Sequence, residues 1–266
     1  MARFDWYQAT DHDRGVEEIT AALLAAADLA DIRPSRPMNG YAYGAEIVRG
    51  DHVLATVWWG GNPGVHVKGT GEDAPFVSDV LRSLGAHAVT RVDACEDWIE
   101  PGLFDRLSSR LISFALENSI SLNQQGDWQR GRARTLYLGS ASSAVRLVLY
   151  EKGYETGGDL NWVRLEARVR PASRAAKVMV SAWAPGQCFT AAPWLVRALE
   201  CIGWDRLEGQ GVTKPWRPSD AERARRALLK QYKRVLAQWA GEVGSWERLG
   251  LVLRDEVEGV RDGAVA

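Results

Sequence analysis

Apolar and polar residues alternate with a period of two through much of this chain, and the alternating runs are broken by glycine, proline and aspartate. Residues 4–8 alternate as a short first strand. An alanine-rich stretch from Arg14 to Ala30 predicts a helix, with Asp11 or Asp13 as cap and Arg33-Pro34 beyond its end. Tyr41 to Val48, His52 to Trp59 and Gly64 to Lys68 read as three strands of an antiparallel meander, because Arg49-Gly50-Asp51 and Gly60-Gly61-Asn62-Pro63 carry turn chemistry. Phe76, Val80, Leu81 and Leu84 fall at helical spacing, as do Leu103, Leu107, Leu111 and Phe114, so helices are expected over 73–84 and 103–116. A strand from Ala86 to Cys95 lies between them.

Residues 119–132 are polar and glycine-containing and read as a loop. Two strands then flank Gly139-Ser140, and a turn at Gly157-Gly158-Asp159 leads to a strand from Trp162 to Arg168. Residues 172–183 and 191–202 look helical. Pro215-Trp216-Arg217-Pro218 is the clearest break, so the expected division is a main domain over 1–214 and a helical extension over 215–266. The extension opens on Ser219-Asp220-Ala221-Glu222, which resembles a capping box, and runs as a helix to about Trp239. Its apolar stripe is Ala221, Ala224, Leu228, Tyr232, Val235 and Trp239. The basic residues between Arg223 and Arg234 suit either a solvated face or contact with DNA phosphates. Together these elements predict an α+β fold, a central and mainly antiparallel sheet with helices packed on it.

Four of the strand-like runs carry charged or phenolic residues on one face. In Arg91-Val92-Asp93-Ala94-Cys95-Glu96-Asp97 the odd positions share a face, so Asp93 and Asp97 either line a cleft or form a solvated face with an Arg91–Asp93 ion pair. In Val163-Arg164-Leu165-Glu166-Ala167-Arg168 the apolar residues face one way and Arg164, Glu166 and Arg168 the other. That pattern suits a polyanion-binding surface whose glutamate holds a cation, and equally a surface ladder of ion pairs worth little stability. Tyr150 and Lys152 share a face with Arg146. A phenol ionises near pH 10, so Tyr150 is either a packing residue or a nucleophile activated by a nearby ammonium or metal ion.

Composition narrows the classes. With 266 residues, 46% of them hydrophobic and 25% charged, and a net charge of -1, the chain is no bulk polycation, and nucleic-acid binding must come from local patches. Cys95, Cys188 and Cys201 are far apart and form no CxxC pair, which suits a reducing compartment and argues against a zinc knuckle. The four histidines show no HExxH, though His66 or His87 could join a site in three dimensions, and no P-loop is visible. The first residues lack a signal-peptide core and no uncharged stretch is long enough to span a bilayer, so the expected location is cytoplasmic with no membrane partner. Trp58 and Trp59, adjacent on a strand, must point to opposite faces, so one of them can lie outside the core and stack on a single strand.

The order of these motifs resembles the replication initiation factor (Rep_trans) family, initiators of rolling-circle plasmids and filamentous phages, with some conjugative relaxases. The resemblance rests on Gly60-Gly61-Asn62-Pro63-Gly64-Val65-His66-Val67, Thr90-Arg91-Val92-Asp93, Thr135-Leu136-Tyr137-Leu138-Gly139-Ser140, Tyr150-Glu151-Lys152-Gly153-Tyr154-Glu155 and Arg164-Leu165-Glu166, and covers roughly residues 40–205. It implies site-specific nicking and strand transfer of origin DNA through a 5′-phosphotyrosyl link. The family's Tyr-x-Lys strand maps to Tyr150 and Lys152, with Tyr154 and Tyr137 as rival nucleophiles. Its acidic ligands for Mg²⁺ or Mn²⁺ map to Asp93 and Glu166, with Glu155 as a third. The resemblance further implies DNA contacts from Arg91, Arg146, Arg164, Arg168 and Ser140, and a small-residue turn at 135–142 where the DNA backbone can approach. Origin DNA, a host helicase and a second copy of the chain are the partners it implies. A relaxase with the same chemistry and a non-cleaving DNA-binding regulator are the alternatives. Two positions depart from the family pattern: Ala141 stands where a basic residue is usual, and Lys68-Gly69-Thr70-Gly71-Glu72 replaces an expected Ser-Gly-x-Gly-Cys.

Overall fold

The computed structural model describes residues 2–204 and 220–258. The chain divides into two units, Met1–Thr213 and Lys214–Ala266. The first holds ten strands: β1 (Arg3–Asp11), β2 (Asp31–Pro34), β3 (Tyr43–Arg49), β4 (His52–Trp59), β5 (Val65–Thr70), β6 (Ala88–Ile99), β7 (Leu122–Asp127), β8 (Arg132–Leu138), β9 (Val145–Glu151) and β10 (Trp162–Val169). They form one sheet in the order β2-β3-β4-β5-β1-β6-β10-β9-β8-β7. Each neighbouring pair is antiparallel. Helices α1 (Val16–Ala26), α2 (Ala74–Leu84), α3 (Leu103–Glu117), the short α4 (Lys152–Thr156), α5 (Arg174–Ser181) and α6 (Pro193–Cys201) complete the unit. The expected α+β class is what the chain adopts.

The register makes the sheet two-faced, since residues directly opposite across a ladder point the same way. One face carries Tyr7, Val67, Val92, Ala94, Leu165, Ala167, Leu147, Leu149, Leu136 and Leu138, all buried in a single core with residues of α1, α2, α3 and α6. Gly69 lies on this face, where a Cβ would press into the Val77 side chain, so a glycine lets α2 lie flat on β5. The other face carries Lys68, Gln8, Arg91, Asp93, Arg164, Glu166, Arg168, Arg146, Tyr150, Thr135 and Tyr137. The polar face therefore gathers residues from six neighbouring strands, β5, β1, β6, β10, β9 and β8.

Three segments differ from the reading of the sequence. Arg33-Pro34, expected beyond a helix end, lies in β2, an edge strand where a proline forfeits no ladder bond toward a further neighbour. The expected loop at 119–132 contains β7, the opposite edge. Its polar composition suits an edge with little to bury, and Gly126 sits at a register shift against β8 with φ 90°. The strand carrying Tyr150 ends at Glu151, so Lys152, Tyr154 and Glu155 ride on α4 rather than on the sheet. Trp58 is buried beneath the Arg36 carbonyl, which accepts its indole N–H at 3.2 Å, and Trp59 stacks on Tyr43, so Trp58 offers no open stacking platform.

In the second unit α7 (Asp220–Val243) and α8 (Trp246–Glu258) pack together. Leu228, Tyr232 and Val235 of the expected apolar stripe are exposed. The proline-bounded break at 215–218 and the Ser219 cap lie outside the described residues. Among the described residues no helix is long and apolar enough to cross a membrane.

Two substitutions probe this frame by urea unfolding. Leu165→Ala, at a fully buried site on the central strand β10, is expected to lower stability by about 2–5 kcal/mol. Gly153→Ala puts a Cβ against the Asp159 carbonyl and is expected to lower it by about 1–3 kcal/mol while displacing α4. Wild-type stability in the second variant would mean that α4 is not held by this contact.

Candidate active site

A cleft of about 250 Å³ opens on the polar face, walled by Asp5 and Trp6 of β1, Arg91 and Asp93 of β6, Glu166 and Arg168 of β10, Val148 and Tyr150 of β9, Thr135 and Tyr137 of β8, and Lys152 and Glu155 of α4. Strand alternation presents the residues of β6, β8, β9 and β10. In β1 the register shifts between Phe4 and Trp6, and this bulge turns two consecutive residues, Asp5 and Trp6, toward one cleft.

Asp93 and Glu166 form the floor, and both are almost wholly buried. Arg91 holds Asp93 with its Nε at 3.0 Å and 3.1 Å from the two carboxylate oxygens, and with Nη2. Arg168 holds Glu166, Nε at 2.7 Å and Nη2 at 3.3 Å, and its Nε also lies 3.7 Å from Asp93. Burial and the neighbouring Asp93 charge push the Glu166 carboxyl up to about 7, against the pull of Arg168. The two carboxylates are thus electrostatically one unit. Across the wall, the Arg91 guanidinium lies 4.1 Å from the Trp6 ring centre.

Tyr150 stands in the same cleft. Burial raises its phenol above the ordinary tyrosine range, and the Glu166 charge raises it further. No hydrogen bond contributes to that shift. The Lys152 ammonium sits 5.6 Å from the Tyr150 ring centre and 2.6 Å from a Glu155 oxygen. The lysine is beside the tyrosine as expected, yet in the resting site it does not make the phenol more acidic. Burial of the phenol and the Glu166 charge outweigh it.

The expected residues divide into those gathered here and those elsewhere. Tyr150, Lys152, Asp93, Glu166, Glu155, Arg91 and Arg168 line the cleft, as does the rival Tyr137; Tyr154 does not. Arg164 is buried beside it with a different task. Its Nη1 donates to Asp5 at 2.6 Å, its Nε and Nη2 to Asp97 at 2.7 Å and 2.9 Å, and Trp162 and Arg3 complete the cluster at 2.8 Å and 3.0 Å from Asp97. Burial alone would raise the Asp97 carboxyl, but these donors hold it below the usual carboxylate range. So Asp97 and Arg164 brace the wall and do not face a ligand. His66 hydrogen-bonds Gln8 and Thr10, and His87 bonds Tyr7, so neither imidazole enters the cleft.

The donor chemistry of the floor can be set against a hard divalent cation. Paired carboxylates offer the oxygen ligands that Mg²⁺ and Mn²⁺ take, and the repulsion between them is what such a charge relieves. Among the described residues no His, Cys, Asp or Glu joins them to make a group of three. Glu155, the expected third ligand, is instead an exposed partner of Lys152 because the strand has ended before it. The site fits an ion held by Asp93 and Glu166 alone, with its other positions left to water and ligand oxygens.

Comparison with solved structures finds a similar fold in the "Structure of Rolling Circle Replication Initiator Protein from Geobacillus stearothermophilus". The two share 19% identity with a TM-score of 0.54, over 76% of this chain and 96% of that one. The likeness is one of fold. No protein-family model and no curated protein matches the chain.

Asp5 and Trp6 are the wall residues that the sequence reading missed. They lie outside every motif read in the sequence, and the signal that places both of them is a bulge visible only in the pairing.

Arg164→Ala removes the buried guanidinium shared by Asp5 and Asp97 and leaves them the more exposed Arg3, and is expected to lower stability by about 3–5 kcal/mol in urea unfolding. A loss under 1 kcal/mol would mean that the cluster is no brace. Glu166 binds its proton more tightly folded, at about 7, than at its ordinary 4.5, so protonation adds stability that is full below pH 4.5 and is lost as pH rises through 7. Relative to Glu166→Gln, the wild-type melting temperature should therefore fall between those two pH values; parallel curves would place the Glu166 carboxyl at its ordinary value.

Proposed function

We propose that this protein is a rolling-circle replication initiator that nicks and transfers a DNA strand through Tyr150. The observation that carries this reading is the meeting of a phenol, an ammonium and a buried carboxylate pair in one cleft, on a fold shared with a rolling-circle initiator. The Tyr150 oxygen attacks the scissile phosphorus, the P–O3′ bond breaks, the phenolic proton is lost and the departing 3′-oxygen takes up a proton. The product is a 5′-phosphotyrosyl link and a free 3′-hydroxyl from which synthesis can start.

Each wall group has a part. A divalent cation held by Asp93 and Glu166 would supply Lewis-acid stabilisation of charge on the phosphate oxygens. Lys152, beside the Tyr150 ring, favours the phenolate once the Glu166 charge is offset. Arg91 and Arg168, bound to the carboxylates at rest, lie within side-chain reach of a phosphate over the floor. Origin DNA is the partner; the reading needs a single strand at the cleft, because a scissile phosphate must come within contact distance of a half-buried tyrosine.

The test is a denaturing gel after incubation with Mn²⁺ and fluorescent single strands from the replicon that encodes the chain. Wild type should give a denaturant-resistant protein–DNA adduct, and Tyr150→Phe should give none. Asp93→Asn and Glu166→Gln should each slow adduct formation by about a hundredfold or more. An adduct surviving in Tyr150→Phe would move the nucleophile to Tyr137 or Tyr154, and wild type that binds its DNA without any adduct would favour a non-cleaving regulator.

A further inference from the structure

Beyond the cleft, toward the β8–β9 turn, the polar face carries more positive charge than its acids can balance. Arg146 of β9 and Arg168 of β10 are directly opposed across the ladder, an arrangement in which like charges repel. Arg170 follows just past the end of β10. Glu166 neutralises Arg168. Arg146 has no carboxylate partner among the described residues: its Nε donates to the Gly139 carbonyl at 3.3 Å, and its guanidinium lies 4.6 Å from the Tyr137 ring centre. Arg168 lies 5.8 Å from the same ring. Arg170 donates to the Ala141 carbonyl at 3.3 Å. Burial and the charges of Arg168 and Arg170 hold Arg146 below the ordinary guanidinium range, which is the mark of crowded positive charge.

A fold tolerates such crowding more readily where an anion relieves it. Arg146 and Arg170 each spend one donor on a carbonyl of the same turn, and that leaves most of each guanidinium fork unused. The turn itself is small-residued, Gly139-Ser140-Ala141-Ser142-Ser143, with Ser140 Oγ 2.8 Å from Ser143 Oγ. A polymer backbone could approach there without meeting a bulky side chain. From Tyr150 to Arg146 is four residues of strand, about 13 Å at 3.3 Å each. The arginines therefore lie too far along the sheet for all of them to serve the scissile phosphate.

We propose that Arg146, Arg168 and Arg170 form a phosphate track that holds the backbone of the single strand on one side of the bond cut at Tyr150. The track rests on the nicking function proposed above and adds its second contact region. Tyr137 serves as the spacer that sets the guanidinia in register, so its phenol is structural here. Arg168 joins the two regions, since it borders the cleft as well as the track. Arg170 is new to the site: it lies beyond the strand motif that drew attention to Arg164 and Arg168.

The experiment measures binding without chemistry. A Tyr150→Phe protein is titrated with a fluorescent single-stranded oligonucleotide across a range of salt concentrations, alone and with Arg146→Gln, Arg170→Gln or Arg146→Lys added. Each glutamine change should weaken binding about tenfold, and should lower the slope of log affinity against log salt by about 0.7, the value for one phosphate contact on a single strand. Arg146→Lys keeps the charge and should retain the slope, which separates lost contact from a disturbed fold. Unchanged slopes in both glutamine variants, with melting temperatures as in the parent, would overturn the track. Because no bond is cut, that failure leaves the adduct assay standing. Absence of an adduct with intact slopes would overturn the nicking chemistry and leave a strand-binding track.

Discussion

Two carboxylates taken out of water side by side are the constraint around which this molecule is arranged. Asp93 and Glu166 lie on the inner strands of a sheet whose opposite face is hydrocarbon, so neither can be solvated from below. Leaving two such charges unpaired would cost several kcal/mol each. The chain meets this with Arg91 and Arg168, each two residues along the same strand from the acid it holds and therefore on the same face. Burial, with the repulsion that remains, leaves a glutamate that keeps its proton to about neutral pH. A site balanced so closely at rest responds strongly to any added charge, whether a cation or a phosphate.

The arginines of the polar face divide by what surrounds them. Arg164 is enclosed by Asp5 and Asp97 and is part of the wall. Arg91 and Arg168 are held by acids but open on one side to the cleft. Arg146 meets no carboxylate among the described residues and leans on an aromatic ring. All of these lie in strands with nearly the same alternation, and their different roles come from the number of carboxylates each meets on its own and neighbouring strands. The same logic explains Tyr150, whose neighbours in the resting site favour the neutral phenol despite a lysine over its ring.

At 19% identity to a rolling-circle initiator, the chain keeps that protein's architecture over most of its length. A two-faced antiparallel sheet makes such divergence physically easy. One face needs only apolar residues of about the right volume, which many sequences supply. On the other face, substitutions change what the surface can touch without disturbing the core.

The periodicity of apolar residues was enough to predict the antiparallel sheet, the helices packed on it, and which residues share a face within each strand, such as Glu166 with Arg168, because period two in a strand assigns faces with no knowledge of partners. Edge strands escaped it: β2 and β7 bury little and so carry no apolar signature. Faces also cannot say which strands are neighbours. That order, β1-β6-β10-β9-β8, brings residues from Asp5 to Arg168 around one cleft. It sends Asp97 to Arg164 rather than to a ligand, and it lets a bulge turn Asp5 and Trp6 inward. Where β9 stops was decided in three dimensions as well: Gly153 lets the Asp159 carbonyl come close where α4 begins, and Glu155 reaches the cleft wall from that helix, paired with Lys152. Local sequence sets which way a side chain points; only long-range pairing sets what it meets there, and a charge takes its role from what it meets.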